Sequence, residues 1–287
     1  MDWARDLAGW PLADLSRQIT TRPHRWHVQQ AGQGETIVLL HGAGASTHSW
    51  RDVVPILAQS YHVVALDLPG HGFTRLGTRT RSALEPVSED VAALIRAQGW
   101  QPAALIGHSA GAAVALRLAQ RMARDGAAPR VIGINPALDH FEGVAGWLFP
   151  ILAKALALNP LTPWMFTLGN GSPRRAQQLI ERTGSTLPPE GYDYYARLLR
   201  DRDHVGGTLQ MMASWSLTGL LRDLPDLAAP TLFLAAERDS AVPPRVPEAA
   251  ATRMPAARLI RLPGLGHLAH EEDPALVAQQ ILRFLQG

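Results

Sequence analysis

The sequence predicts an α/β fold, with a mostly parallel central sheet flanked by helices and carrying an inserted helical cap. Short continuous apolar runs such as 36–42 and 62–70 are typical of strands that are buried on both faces. Helical patterns alternate with them, because parallel strands need a crossover between each pair. The alternation stops in the segment 138–222, where aromatic residues, methionines and prolines accumulate. We therefore expect a core formed by 1–137 and 223–287, and a helical cap formed by 138–222.

Each element of this alternation has its own signal. The segment 85–99 places Val87, Val91 and Leu94 on one face, which is typical of an amphipathic helix packed on a sheet. Pro274 suits the first position of a closing helix. The predicted strands are 25–32, 36–42, 62–70, 103–107, 130–136, 231–239 and 257–264, and the predicted helices are 85–99, 111–123 and 274–286.

Composition excludes several classes of protein. The 287 residues are 46% hydrophobic and 18% charged, with a formal net charge of +2, so a sizeable core can be buried. The basic residues are scattered, so no nucleic-acid-binding stripe is expected. The absence of cysteine excludes disulfides, thiolate metal sites and cysteine nucleophiles. Asp2, Asp6 and the lack of a long apolar run make the first residues a poor secretory signal, so we expect a cytoplasmic protein with no metal and no cofactor.

Aromatic and methionine side chains of the predicted cap suggest an apolar substrate pocket. The alternative is that they form the cap's own small core. The candidate pocket residues are Trp147, Phe149, Trp164, Met211 and Trp215 from the cap, and Trp50 and His108 from the core. The stretch 146–169 is apolar, but prolines and Lys154 interrupt it, so we expect a buried or interfacial lobe rather than a membrane span. Such a lid, if exposed, would contact a membrane surface weakly.

The pentad Gly107-His108-Ser109-Ala110-Gly111 marks the strongest candidate for chemistry. A Gly-x-Ser-x-Gly match alone is weak, since about 0.09 chance occurrences are expected in a chain of this composition. Its position between a predicted strand and a predicted helix is what a nucleophile at a sharp strand–helix turn requires. The alternative is a plain turn between the two elements.

A serine nucleophile needs a base, and the base needs an acid, which in this architecture follow in the order serine, acid, histidine. The loop after the apolar strand residues 231–236 offers Asp239 and Glu237, and the loop after 257–262 offers His267 and His270. We favour Asp239 as the acid and His267 as the base. Each of these side chains alone would more often be a solvated or packing residue.

The oxyanion of an acyl-transfer reaction needs two backbone N–H donors. We expect one from Ala110, directly after the candidate nucleophile, and one from Ala43 in the glycine-rich loop 41–47. The similar loop 67–72 is assigned a structural role, with its histidine packing the turn. Trp50 and His108 have two interpretations, lining the pocket or packing the core.

The stretches HGAG (41–44), DLPGHG (67–72), GHSAG (107–111), ERD (237–239) and GH (266–267) together resemble the α/β-hydrolase family, in the family's order. The resemblance implies Ser109 as nucleophile, Asp239 as acid, His267 as base, and the N–H groups of Ala43 and Ala110 as oxyanion donors. Dehalogenases and soluble epoxide hydrolases of this family have an aspartate where this chain has Ser109, which argues against both activities.

A narrower resemblance rests on longer stretches. HGAGASTHSWRD (41–52), DLPGHGFTR (67–75), GHSAGAAVALR (107–117) and LFPILAKALALNPLTP (148–163) resemble the magnesium-chelatase accessory branch, which is associated with bacteriochlorophyll biosynthesis. It implies a tetrapyrrole-related substrate or a magnesium-chelatase subunit as partner. Pro136 departs from the glycine expected at its position.

The sequence therefore predicts a serine hydrolase that acts on an ester or similar carbonyl bond of a small apolar substrate. One alternative is a non-catalytic porphyrin-binding or magnesium-chelatase accessory protein on the same fold. Another is C–C bond hydrolysis or cofactor-free oxygen chemistry, which the same residues can support.

Overall fold

The computed structural model describes residues 1–139, 167 and 171–287 of the chain. Its centre is one eight-stranded sheet with the spatial order β1-β2-β4-β3-β5-β6-β7-β8. The pairs involving β1 and β2 are antiparallel and the remaining pairs are parallel. The strands are β1 Ser16–Thr21, β2 His24–Ala31, β3 Thr36–Leu40, β4 His62–Leu66, β5 Pro102–His108, β6 Arg130–Ile134, β7 Thr231–Ala236 and β8 Ala257–Leu262. The predicted α/β architecture is confirmed.

The sequence analysis missed one strand, β1. Its residues SRQITT are mostly polar and its side chains are at most half-buried. An edge strand paired on one side needs no continuous apolar run, so hydrophobicity gives no signal for it.

Helices cover both faces of the sheet. The α-helices in the described residues are α1 Trp3–Asp6, α2 Val54–Leu57, α3 Leu84–Ala97, α4 Ala110–Arg124, α5 Pro173–Glu181, α6 Pro189–Arg200, α7 Arg202–Ser214, α8 Thr218–Asp223, α9 Arg245–Arg253, α10 Ala269–Glu272 and α11 Pro274–Gln286. Side chains of β4 alternate between the two cores, with Val64 and Leu66 facing the side of α3 and α4. Val63 and Ala65 face the side of α2 and α11. This period of two explains why the central strands are apolar throughout.

Helices α5 to α7, and all of α8 except Asp223, fall inside the segment predicted as a cap. An ion pair of 2.8 Å between Asp223 and Arg117 Nη1 fastens the end of α8 to α4. The backbone of α7 touches the loop after β4, because a Cβ added to Gly207 would lie 2.1 Å from the oxygen of Gly70. Trp147, Phe149, Trp164 and most of the stretch 146–169 lie outside the described residues. Within the described helices, none has the length and apolar character needed to cross a membrane.

Two glycines permit the turn from β5 into α4. A Cβ on Gly107 would lie 2.3 Å from the oxygen of Gly111 and 2.4 Å from the nitrogen of Ala112. A Cβ on Gly111 would lie 2.2 Å from the oxygen of Leu40, at the end of β3. Backbone atoms thus occupy the space where side chains would be, so both positions require glycine.

We predict that Gly107→Ala lowers the free energy of unfolding by about 3 kcal/mol or more, because backbone atoms cannot yield as a side chain can. Urea denaturation measures the change. The control is Gly126→Ala, where φ is +83° and nothing lies within 4 Å of the added Cβ. The control should cost only the backbone strain of about 1–2 kcal/mol. Equal losses in the two variants would contradict the steric explanation.

Candidate active site

Ser109 lies at the turn between β5 and α4 with φ 51° and ψ −117°. Only surroundings that fix the backbone firmly keep a non-glycine residue in this region. The nitrogen of Ser109 donates to the oxygen of Ile134 at 2.9 Å, and the oxygen of Ser109 accepts from Ala112 and Ala137 at 3.1 and 3.2 Å. The strained conformation holds a partly exposed hydroxyl above the carboxyl end of the sheet.

His267 and Asp239 meet at the same end of the sheet. The Nδ1–H of His267 donates to Oδ2 of Asp239 at 2.7 Å, which leaves Nε2 as the unprotonated nitrogen when the ring is neutral. The other carboxylate oxygen of Asp239 accepts from the nitrogens of Ala241 and Val242 at 2.8 and 2.7 Å. Asp239 is buried whereas the alternative acid Glu237 is exposed. The geometry therefore pairs His267 with Asp239.

The backbone of His267 is held by two side chains from neighbouring strands. Its carbonyl accepts from Asn135 Nδ2 at 2.8 Å and from His108 Nε2 at 2.8 Å. Asn135 also binds the oxygen of Gly266 at 3.0 Å and accepts from the nitrogen of Ala236 at 2.7 Å. Burial, before any other cause, holds the pKa of His108 well below its ordinary value, so the ring is neutral and donates through Nε2. These contacts anchor the loop that carries His267 next to Ser109.

The sequence analysis assigned no role to Asn135 and so missed this supporting contact. A signal was present, because Asn135 ends a buried strand and asparagine tolerates the left-handed backbone better than most residues. Its φ is 45°. Which carbonyls its amide would reach could not be predicted without the fold.

The two expected oxyanion donors lie beside Ser109. Ala110 is the first residue of α4, so its N–H is one of the helix donors without an intrahelical partner. A Cβ on Gly42 would lie 3.1 Å from the Cβ of Ser109, which shows how closely the loop 41–47 approaches. In that loop, Ala45 donates to the oxygen of Gly42 at 3.1 Å, and the exposed Ala43 stands in the turn that this bond closes.

The candidate pocket residues within the described chain differ in position. Trp50 is fully buried and its ring centroid lies 4.6 Å from that of His270, so it packs in the core. His108 is 2% exposed and engages His267. Met211 is buried and Trp215 half-buried, and both pack against the core on the side of α3 and α4. A pocket role for these two stays a prediction.

His270, the alternative base, is fully buried with no hydrogen-bond partner on either ring nitrogen. Its ring centroid lies 4.5 Å from that of His108. Burial lowers the pKa of His270 to about 3, so it is an apolar packing group at neutral pH.

Glu271, beside His270, connects α10 to α6. It is fully buried, and its oxygens accept from Arg51 Nη1 at 2.6 Å and from the hydroxyl of Tyr195, on α6, at 2.7 Å. Burial raises the pKa of Glu271 to about 7 in spite of Arg51. The contact links the segment that follows His267 to α6.

A second Ser–His–Asp series runs between β1, β2 and the end of β4. Ser16 Oγ lies 2.9 Å from His27 Nε2, and His27 Nδ1 lies 2.7 Å from Asp67 Oδ2. Burial raises the pKa of Asp67, but His27 and backbone donors outweigh it and hold that pKa below its ordinary value. Ser16 belongs to an extended edge strand, and its oxygen accepts from Gln29 at 3.2 Å. The series lacks the helix N-terminus found at Ser109, so it fits a structural role.

No group of three or more histidine or acidic side chains within 1–139, 167 and 171–287 is arranged to hold a metal ion.

Comparison with known proteins identifies the class. Residues 35–274 match the model of the α/β hydrolase fold, and the chain belongs to the α/β-hydrolase fold family. It is similar to the magnesium-chelatase 30 kDa subunit of Rhodobacter capsulatus, with 43% identity over 98% of each chain. The predicted resemblance to that branch is thereby confirmed.

Relatives with hydrolase names are more distant. The pimeloyl-[acyl-carrier protein] methyl ester esterase of Xanthomonas campestris is 30% identical, over 90% of this chain and 98% of that one. Among solved structures, an esterase of Thermogutta terrifontis superposes with a TM-score of 0.75 at 24% identity, over 94% of this chain and 98% of that one. The structural likeness supports the fold.

We predict that His270→Leu reduces the loss of stability in acid. The pKa of His270 is about 3 in the folded chain and about 6.5 when unfolded, so between these values the unfolded chain binds the extra proton. Stability is therefore lost as pH falls from 6.5 toward 3. Removing one such histidine should lower the pH dependence of the free energy of unfolding by about 1.4 kcal/mol per pH unit. Urea denaturations between pH 4.5 and 6.5 measure this change.

The matched control for this prediction is His62→Leu, on a histidine that is only half-buried at the start of β4. Its slope should change less. An unchanged slope in His270→Leu would contradict a neutral buried ring.

Proposed function

We propose that this protein is a serine hydrolase in which Ser109 is the nucleophile, His267 the base and Asp239 the acid. The observation that carries the proposal is the 2.7 Å bond between His267 and Asp239, on a loop anchored next to the strained Ser109 turn. A serine hydroxyl attacks a carbonyl only when a base removes its proton, and this arrangement supplies one.

In the acylation step, the Oγ of Ser109 forms a bond to the carbonyl carbon while its proton passes to Nε2 of His267. Asp239, already hydrogen-bonded to Nδ1, stabilises the imidazolium that forms. The carbonyl oxygen becomes an oxyanion, which accepts hydrogen bonds from the N–H groups of Ala43 and Ala110. The tetrahedral intermediate collapses, the bond to the leaving alcohol breaks, and His267 returns the proton to that alcohol.

In the deacylation step, water replaces the alcohol. His267 removes a proton from the water, whose oxygen attacks the acyl carbon, and the same backbone donors bind the second oxyanion. The bond to Ser109 Oγ breaks and Oγ regains the proton from His267. The acid product leaves and the three side chains return to their starting protonation states.

The substrate class we propose is an ester, or a similar carbonyl compound, with an apolar acyl or ring system. The segment 138–222 is proposed as the cap over this site, with 1–137 and 223–287 as the core. The apolar composition of that segment supports an apolar substrate. The likeness to a magnesium-chelatase subunit supports a tetrapyrrole-related ester as the first compound to assay.

We predict that a fluorophosphonate probe labels the wild-type protein and that Ser109→Ala abolishes labelling. His267→Ala should also abolish it, because Ser109 then has no base, and Asp239→Asn should slow it by about 10³–10⁴. Mass spectrometry of the labelled peptide identifies the serine.

Ser16→Ala is the matched control for this experiment, since Ser16 also lies next to a histidine and an aspartate. It should label at the wild-type rate. Loss of labelling in His270→Ala but not in His267→Ala would show that the base is misassigned. A folded wild-type protein that the probe leaves unlabelled would refute the hydrolase.

The second candidate function is a magnesium-chelatase accessory role without catalysis. The observation in its favour is the 43% identity, over nearly the whole of both chains, to a protein that carries the name of a chelatase subunit. Under this hypothesis a surface of the protein binds a porphyrin or a chelatase subunit. The Ser109 hydroxyl then has no role.

We predict, from the hydrolase proposal, that Ser109→Ala impairs any contribution of this protein to chelation of magnesium by porphyrin. The measurement adds wild type or Ser109→Ala to purified magnesium-chelatase subunits and follows magnesium-porphyrin fluorescence. Stimulation by wild type with full retention in Ser109→Ala would instead favour the accessory role.

A further inference from the structure

His204 connects the helix α7 to two loops, the loop 67–72 after β4 and the loop 41–47 of the candidate site. It lies in the first turn of α7, is 3% exposed, and its own N–H binds Oδ1 of Asp201 at 2.8 Å. Its Nδ1 lies 3.0 Å from the nitrogen of Gly72 and its Nε2 lies 3.2 Å from the oxygen of Gly44. Neither loop is adjacent to α7 in the chain, so the side chain joins three separate segments.

The hydrogen bonds with Gly72 and Gly44 indicate which nitrogen of the His204 ring carries the proton. The N–H of Gly72 can only donate, so Nδ1 must be the unprotonated nitrogen. Nε2 then carries the proton and donates to the carbonyl of Gly44. Burial lowers the pKa of His204 to about 4, so this neutral form is the one present at pH 7.

Gly44 belongs to the turn that presents Ala43. The bond from Ala45 to Gly42 closes the turn around Ala43 and Gly44, and Gly44 has φ +77°. The direction of the Ala43 N–H depends on how this turn is rotated about its two ends. Fixing the carbonyl of Gly44 from outside restricts that rotation.

We propose that His204 is a positioning residue for the oxyanion donor. Its Nε2–H···O=C bond to Gly44 holds the turn so that the N–H of Ala43 points to the carbonyl oxygen of the substrate. The helix α7 thereby completes the active site as well as covering it. This inference rests on the proposed serine-hydrolase function and adds to it a residue that touches no substrate.

The backbone packing of α7 supports the inference. Gly207, one turn after His204, touches Gly70 so closely that no side chain fits at either residue, since an added Cβ would lie 2.1 Å and 2.9 Å, respectively, from the other. The helix therefore cannot shift along this loop without steric conflict, and the imidazole of His204 is held at a fixed height over Gly44.

The test compares two variants of similar size in the full chain. His204→Gln keeps a donor that reaches the carbonyl of Gly44, whereas His204→Met has the same length and no donor. Hydrolysis of p-nitrophenyl butyrate is measured. We expect kcat of His204→Met to fall about tenfold or more, as part of the 10²–10³ that one oxyanion donor contributes. KM should change less than twofold, and His204→Gln should recover kcat to within about threefold of wild type.

A second measurement does not depend on activity. Hydrogen exchange of the Ala45 amide reports the closed turn, and it should be faster in His204→Met than in wild type or His204→Gln. His62→Met, at the opposite end of the sheet, is the control for the substitution itself and should leave kcat and exchange unchanged. If His204→Met fails to fold, His204→Asn replaces it, because asparagine reaches Gly72 but is too short to donate to Gly44.

The outcomes separate the two proposals. Equal kcat values in His204→Met and His204→Gln, with equal exchange at Ala45, would overturn the positioning role while leaving the hydrolase intact. A wild-type protein that neither hydrolyses the ester nor reacts with fluorophosphonate refutes the proposed function, and with it the catalytic meaning of His204. If His204→Met raised KM and left kcat unchanged, the inference would also be overturned, since a misplaced oxyanion donor lowers kcat.

Discussion

The contact of three backbone segments around Ser109 is the constraint on which the site depends. The ends of β3 and β5 and the start of α4 approach so closely that a Cβ at Gly107 or Gly111 would overlap main-chain atoms. This packing leaves Ser109 in a backbone region that other residues avoid, and hydrogen bonds to β6 and α4 hold it there. The same approach brings the loop 41–47 against Ser109, so the proposed nucleophile and the proposed oxyanion donors lie close together.

The loop that carries His267 is held against the Ser109 turn by hydrogen bonds. Its carbonyl binds Asn135 and His108, which extend from the ends of β6 and β5. Because β5 and β6 pair with each other, the sheet fixes both donors, and a displacement of His267 would break its two carbonyl hydrogen bonds. Fixed neighbours of this kind suit the role proposed for His267, since small displacements of reacting groups slow a reaction strongly.

Several of the histidines in this region are neutral packing groups. Burial keeps the pKa values of His108, His204 and His270 below the ordinary range. His204 makes two ring hydrogen bonds, His108 makes one and His270 makes none. A neutral imidazole is flat, polarisable and less costly to bury than a charge. The rings of His108 and His270 therefore pack near His267 without adding positive charge, which would disfavour the imidazolium that the proposed mechanism forms there.

The sequence by itself determined the α/β architecture and pointed to Ser109, Asp239 and His267 as candidates, because apolar runs, turn residues and motif spacing are local properties. It missed the polar edge strand β1, which buries too little to leave a pattern. It left Glu237 beside Asp239, and His270 beside His267, as alternatives. Only the tertiary structure showed that Glu237 is exposed and His270 is enclosed without a partner, since burial depends on segments distant in the chain. The roles of Asn135 and His204 likewise rest on carbonyls that are remote in sequence, so no local pattern could reveal them.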